Sequence, residues 1–315
     1  MAYILAADIG GTNSRFACFS IKGGAPVMEK SIWLKTHEAT SFPHLLEMLW
    51  ESDFGFTHDM FSAVSIAVPG AVQHGVVSGC LPNAPWGVDL RNIDYGWKRA
   101  CLINDFAAQA FACRTGIVDD AMVIQEGVPL EDGVIGVIGA GTGLGYSALV
   151  PCGKGWTALP SEGGHMAFPF TGMKEAEYGE FNRRESGRNW AEGDTVVTGL
   201  GLRLIHKYLT GEELTAEEIS SQIIPESETT RWYARFYGRA CRNWAIAMMA
   251  YGGMFIAGGV AAKNPMLVTA PEFLEEFHNS HFYEEFLRSV PIRLNANEES
   301  GLYGAAFHGV QLLNH

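Results

Sequence analysis

Tyr3-Ile-Leu-Ala-Ala-Asp8, then Ile9-Gly10-Gly11-Thr12-Asn13, then Ser14 to Ile21: this opening stretch decides the fold. Residues 3–8 read as a buried strand and the glycine pair as a turn. Ser14 to Ile21 alternates in polarity through Arg15, Phe16, Ala17, Cys18 and Phe19, which predicts a second strand. The pattern recurs far downstream. Gly133 to Ile138 is an apolar strand, Gly139-Ala-Gly-Thr-Gly143 a glycine turn, and Tyr146 to Val150 a strand again. Two such units in a chain of 315 residues point to two domains of related design, since a domain typically holds roughly 150 residues.

The remainder alternates strand and helix. Phe61 to Val68 is a strand stopped by Pro69-Gly70, Cys101 to Asn104 a short strand, and Phe106 to Arg114 a helix. Trp232, Phe236, Ala240, Trp244 and Met248 share one face of a long helix ended by Gly252-Gly253. Met254 to Ala257 is a strand, Gly258-Gly259 a turn into another helix, and Gly301 to Leu313 a terminal helix. The polar, acidic segment from Glu212 to Thr230 reads as a solvated face or loop without chemistry of its own.

Composition narrows the function. Hydrophobic residues make up 47% and charged ones 18%, which supplies a core and excludes a disordered chain. With 22 Lys+Arg against 35 Asp+Glu the net charge is −13, so nucleic acid and anionic membranes are poor partners. A small phosphate ligand is still admissible, because backbone N–H groups and Mg²⁺ hold phosphates in acidic proteins. The six cysteines show no C-x₂-C spacing, which argues against zinc ribbons and redox pairs. The N-terminus lacks a basic region and Asp8 interrupts its apolar run, so it does not read as a signal peptide. No run of about 18 apolar residues spans a bilayer, and a reduced, cytoplasmic protein is expected.

Five motifs carry candidate chemistry. In Asp8-Ile-Gly-Gly-Thr-Asn13 the glycines let backbone N–H groups reach a phosphate, Thr12 and Asn13 add donors, and Asp8 is placed to hold Mg²⁺ through water. An ordinary β-hairpin explains the same residues equally well. Gly139-Ala-Gly-Thr-Gly-Leu-Gly145 is a second phosphate loop. Its partial G-x-G-x-x-A match is dismissed because a strand follows, where a dinucleotide site needs a helix. Asn104 and Asp105 stand where a strand gives way to a helix, which suits a catalytic carboxylate or simply an N-cap. Glu162-Gly-Gly-His165 offers a carboxylate and an imidazole to a polyol from a loop, since the glycine pair disfavours a helical metal site. Phe255-Ile-Ala-Gly258-Gly259 suits an adenosine platform or a plain strand-to-helix turn. His278 and His281 read as surface residues.

Taken in this order, the motifs resemble the sugar kinases of the actin/hexokinase/Hsp70 ATPase superfamily. More narrowly they resemble the bacterial ATP-dependent glucokinases, from Asp8 to the terminal helix. The matching stretches are Asp8-Ile-Gly-Gly-Thr-Asn-Ser-Arg15, Ile103-Asn-Asp-Phe106, Gly139 to Gly145, Glu162-Gly-Gly-His165, and Asn83 and Trp86 in Pro-Asn-Ala-Pro-Trp. The cysteine-rich zinc motif usual in the related repressor/kinase group is absent.

The resemblance implies a two-domain α/β, actin-like ATPase (ribonuclease H-like) fold with an interdomain cleft. Residues 1–113 with 301–315 would form the small domain and 114–300 the large one. It implies that ATP, with Mg²⁺, phosphorylates the 6-hydroxyl of glucose to glucose 6-phosphate, with Asp105 as general base. Asn104, Asp105, Glu162, His165 and Asp194 would bind the sugar. Asp8, Gly10, Gly11, Thr12, Asn13, Gly141, Thr142 and Gly143 would surround the phosphates, with Gly258 and Gly259 near the adenosine. No protein group would bind the metal directly, Asp8 acting through water. A homodimer is usual. One departure stands out. The family's Glu-x-Val-x-Ser-Gly reads Asp194-Thr-Val-Val-Thr-Gly199 here, an acid one methylene shorter, and Glu192 would replace it only if the loop shifts. Glucose therefore competes with mannose or fructose as the expected sugar, and a non-catalytic sugar sensor on the same fold is the reading from another class.

Overall fold

The computed structural model describes residues 2–314. The chain divides into two compact units. Unit 1 holds the described residues up to Asp120, Pro151–Pro160, and those from Asn297 on; unit 2 holds Ala121–Val150 and Ser161–Ala296. The return of residues 151–160 to unit 1 does not follow the order of the sequence. Its reason is long-range: the Trp156 ring lies 4.5 Å from the Arg114 guanidinium, and the Trp156 backbone N–H donates to Gln311 Oε1 at 2.7 Å.

Unit 1 contains β1 (Tyr3–Ile9), β2 (Asn13–Lys22), β3 (Ala25–Lys35), α1 (Phe42–Glu51), β4 (Phe61–Val68), the short strands β5 (Val72–Gln73), β6 (Val77–Cys80) and β7 (Gly87–Asp89), then β8 (Ala100–Asn104) and α2 (Asp105–Ala112). Its main sheet runs β3-β2-β1-β4-β8. β1 and β2 form an antiparallel hairpin, whereas β4 and β8 continue from β1 in parallel. Leu5, Ala7, Phe16, Leu45, Leu46 and Ile66 are among the fully buried residues of its core.

Unit 2 contains β9 (Met122–Gln125), β10 (Ile135–Ala140), β11 (Leu144–Cys152), α3 (Gly172–Ser186), α4 (Gly193–Val196), α5 (Gly199–Thr210), α6 (Ala216–Gln222), α7 (Glu228–Met248), β13 (Gly253–Ala257), α8 (Gly259–Lys263), α9 (Met266–Thr269), α10 (Pro271–His278), α11 (Glu284–Ser289) and β14 (Ile292–Leu294). β12 (Gly155–Ser161) precedes α3, and α12 (Ser300–Asn314) closes the chain in unit 1. Strands of unit 2 follow the order β11-β10-β13-β14-β9. An antiparallel hairpin, β10–β11, again leads into parallel neighbours, β13 and β14. The two units therefore repeat one design, as the sequence pattern predicts.

The turn at the second hairpin is shorter than expected. Gly139 and Ala140 belong to β10, Gly139 facing Gly145 and Ala140 facing Leu144, so residues 141–143 alone make the bend. α7 buries Trp232, Phe236, Ala240 and Trp244 in the core of unit 2, which is the predicted face. It stops at Met249, in the left-handed conformation at φ 45°, rather than at the Gly252-Gly253 pair. The acidic stretch 212–230 is not a plain loop. Thr215 and Glu218 form a reciprocal capping box that starts α6, whose Ile219 is buried.

Candidate active site

In unit 1, the parallel strands β1, β4 and β8 deliver their C-terminal ends to one edge of the sheet. Asp8 registers with Ala67, and Val68 with Asn104, so Asp8 and the Asn104-Asp105 pair share that edge. This is where ligands bind in parallel α/β sheets.

Asn104 caps α2. Its Oδ1 accepts from Phe106 N–H at 2.9 Å and Ala107 N–H at 3.2 Å, and its Nδ2 donates to the Gly70 carbonyl at 3.0 Å. The capping role weighed for both residues therefore falls to Asn104. Asp105 is the first residue of α2, and its Oδ1 accepts from Phe106 N–H at 2.9 Å.

The turn after β1 is held from behind. Gly10 N–H donates to the Asn13 carbonyl at 3.0 Å, Thr36 N–H to the Thr12 carbonyl at 3.0 Å, and the Thr36 hydroxyl to the Gly10 carbonyl at 2.7 Å. Lys35 Nζ donates to Asn13 Oδ1 at 2.8 Å. Gly11 has no room for a Cβ, which would strike the backbone carbonyl of Pro82. Burial of the Asp8 carboxyl raises its pKa above the ordinary carboxylate value, an effect that Arg15 at 3.8 Å offsets only in part. Arg15 is fixed in turn over the Trp33 ring at 4.0 Å and on the Glu298 carbonyl at 2.5 Å.

In unit 2, β10 and β13 place the bend 141–143 beside Gly258-Gly259, Gly139 pairing with Ala257. Gly199, at the start of α5, donates its N–H to the Gly141 carbonyl at 3.2 Å. A cavity of about 820 Å³ opens there, lined by Gly141, Thr142, Arg203, Glu217, Gly259 and Lys263 among others. The α5 N-terminus and the glycine bend together suit an anion.

Elsewhere in unit 2 the Gly163–His165 turn presents Glu162 and His165. Met166 to Phe168 pairs antiparallel with Ala191 to Gly193: Phe168 N–H donates to the Ala191 carbonyl at 2.8 Å and Gly193 N–H to the Met166 carbonyl at 3.2 Å. That pairing sets His165 Nδ1 3.2 Å from Glu192 Oε2, with Asp194 Oδ2 at 3.7 Å and Glu162 Oε2 3.9 Å from Nε2. Asp194 Oδ1 instead accepts from the Leu144 backbone N–H at 2.7 Å.

A glucokinase family model matches residues 5–312. The chain belongs to the glucokinase family. The glucokinase of Shigella dysenteriae serotype 1 is 28% identical over 99% of this chain and 98% of that protein. A solved glucokinase from an Antarctic psychrotroph covers 100% of both chains with a TM-score of 0.83 at 27% identity. A glucokinase of the ROK family from Streptomyces griseus, solved with glucose and AMPPNP, covers 98% of this chain and 100% of its own, with a TM-score of 0.64 at 16% identity. The fold is the two-domain actin-like ATPase fold of these sugar kinases, and the activity is ATP-dependent phosphorylation of glucose.

Against this glucokinase frame, the residues the sequence singles out group by unit. Asp8, Gly10 to Asn13, Asn104 and Asp105 meet at one sheet edge of unit 1. Gly141, Thr142 and Gly259 meet at the cavity of unit 2, and Glu162, His165, Glu192 and Asp194 form a second cluster there. Sequence reasoning missed Lys35 and Thr36 behind the first hairpin, and Thr215 to Glu217, Ser220, Ser221 and Lys263 along the cavity. The Thr-x-x-Glu box at 215–218 was the one local signal for α6.

Gly258 supplies a prediction. It stands at φ +88°, and a Cβ there would lie 2.5 Å from the Ala140 carbonyl oxygen. Gly258→Val is expected to cost about 1–3 kcal/mol in strain alone and to raise KM for ATP by displacing the wall of the cavity. Urea unfolding and ATP kinetics check the two effects; an unchanged midpoint with unchanged KM contradicts the assignment.

Proposed function

We propose that Asp105 is the general base of glucose phosphorylation. The observation that carries this is its place at the head of α2, on the sheet edge shared with Asp8, with Asn104 supplying the cap. In this reading the glucose 6-hydroxyl oxygen attacks the γ-phosphorus of ATP. The O6–P bond forms, the bond from γ-phosphorus to the β,γ-bridging oxygen breaks, ADP leaves, and the hydroxyl proton passes to the Asp105 carboxylate. A loose phosphoryl transition state asks the protein mainly to position the reactants and offset charge, so an ionised Asp suffices as base.

Asn104, Glu162, His165 and Glu192 hold the other sugar hydroxyls, because buried hydrogen bonds are what discriminate one polyol from another. Gly10 to Asn13 and Gly141 to Gly143 receive the phosphates, and the cavity between α5, α6 and α8 receives the adenosine. The Streptomyces griseus glucokinase binds glucose and AMPPNP together, which supports this pairing of ligands. A Mg²⁺ carried in with the nucleotide fits Asp8, a single shielded carboxylate at the edge of the phosphate hairpin, and would offset phosphate charge there. The same reading takes the protein as a cytoplasmic homodimer, which light scattering tests for its assembly.

Glu192→Gln separates the sugar carboxylates. It removes the charge beside His165 while keeping the shape, so KM for glucose should rise about tenfold or more with KM for ATP unchanged. A silent Glu192→Gln would return the sugar role to Asp194. The reading as a whole is tested by glucose-dependent ADP release across glucose, mannose and fructose.

A further inference from the structure

The stretch Glu192 to Gly199 touches both clusters of unit 2. At its start, Glu192 meets His165. In its middle, Asp194 Oδ1 accepts from Leu144 N–H at 2.7 Å, on the residue that leaves the glycine bend. At its end, Gly199 N–H donates to the carbonyl of Gly141, the residue that enters the bend, at 3.2 Å. The Thr198 hydroxyl ties the middle to the end, donating to the Asp194 carbonyl at 2.5 Å while its oxygen accepts from Gly201 N–H at 3.2 Å to cap α5. Gly164, between Glu162 and His165, is wedged in as well, for a Cβ there would strike both the Leu144 carbonyl and Asp194 Oδ1.

We infer that Asp194 is a positioning residue that braces the phosphate loop 141–143 against the segment bearing the sugar carboxylate Glu192, and is not itself a sugar ligand. The inference rests on the phosphate role proposed above for residues 141–143. Its physical basis is geometric. The turn of α4 sets the Asp194 side chain on a backbone amide across from it, and a charge-assisted bond to a backbone N–H is among the stronger hydrogen bonds. The bend Gly141-Thr142-Gly143 is also held by Gly141 N–H on the Gly143 carbonyl at 2.9 Å and by Gly199 at its entry, but Asp194 supplies the side-chain bond at its exit, so losing it loosens the aim of the N–H groups there. Preorganised donors bind an anion better than mobile ones because less order must be imposed on binding. The shorter acid is then no defect. It is fitted to Leu144, while Glu192 stands against His165 at 3.2 Å.

The test uses the full chain and two readouts. Calorimetric titration with Mg²⁺-AMPPNP gives nucleotide affinity without turnover, and steady-state kinetics give the KM for ATP and for glucose separately. Asp194→Ala should weaken AMPPNP binding and raise KM for ATP by about tenfold. Asp194→Asn, whose Oδ1 still accepts from Leu144, should restore both to within about threefold. Should Asp194→Ala not accumulate as folded protein, Asp194→Ser takes its place, its hydroxyl being too short to reach the amide. A rise confined to the KM for glucose would make Asp194 a sugar ligand and overturn the inference. Unchanged AMPPNP affinity, or a fall in kcat alone, would overturn it too. If the wild type binds AMPPNP but releases no ADP with any hexose, the functional reading fails, and the titrations still decide the brace.

Discussion

Asp105→Asn stops most turnover while glucose stays bound. Loss of a positioned base typically lowers kcat by about 10²–10⁴-fold, whereas the amide keeps a hydrogen-bonding oxygen and nitrogen for the sugar. The cap of α2 rests on Asn104, which bonds two amides, so the substitution should leave the helix and the fold in place. The expected pattern is a large fall in kcat, a glucose affinity changed by less than about threefold, and an unaltered unfolding midpoint. A variant that turns over at near wild-type rate would remove the base role and leave Asp105 as part of the helix start alone.

The largest expected effect on stability lies away from the chemistry, at Arg239 in α7. Its side chain is 1% exposed and bonds Glu175 in α3 at 2.5 Å and Glu276 in α10 at 2.9 Å, with the Pro169 carbonyl at 2.9 Å. Arg242 shares Glu276 at 2.7 Å. Arg239→Met leaves the buried Glu175 carboxylate without its guanidinium partner and Glu276 with Arg242 alone. Breaking such a pair from one side costs about 3–5 kcal/mol, read as a lower urea midpoint. Adding Glu175→Gln should recover part of the loss, because the uncompensated charge is gone. Burial alone would push the Glu175 carboxyl up, but Arg239 and the Thr171 N–H outweigh it and hold it below its ordinary value. A depressed carboxylate stabilises the fold above its unfolded pKa, about 4.3 for Glu. That stability is lost as pH falls through the lower folded value. The wild type should therefore lose stability on the acid side more steeply than the double variant.

How much of this was legible in sequence depended on distance along the chain. The hairpin carrying Asp8 and Gly10 to Asn13 could be read locally, because its alternation and its glycine pair lie within about twenty residues. The same holds for the Asn104-Asp105 junction and for the face of α7. Glu192 could not be placed, since its contact with His165 depends on the pairing of Met166–Phe168 with Ala191–Gly193, and no local pattern marks that bridge. The role of residues 151–160 failed to show for the same reason, fixed as they are by Arg114 and Gln311. α6 was missed because a helix of seven residues with one buried side chain has too little apolar periodicity to stand out. Glycines misled twice, at the end of α7, which stops at Met249 before the Gly252-Gly253 pair, and at Gly139. Gly139 looks like turn and is strand, because in β10 it pairs with another glycine, Gly145.

The central claim is that this chain transfers the γ-phosphoryl group of ATP to the 6-hydroxyl of glucose with Asp105 taking the proton. The most direct measurement is phosphorus NMR of the reaction of wild type and Asp105→Asn at matched concentrations with Mg²⁺-ATP and glucose. One glucose 6-phosphate should appear for each ADP with wild type, at a rate at least about a hundredfold above the variant's. ADP formed without glucose 6-phosphate, or equal rates from the two proteins, would contradict it.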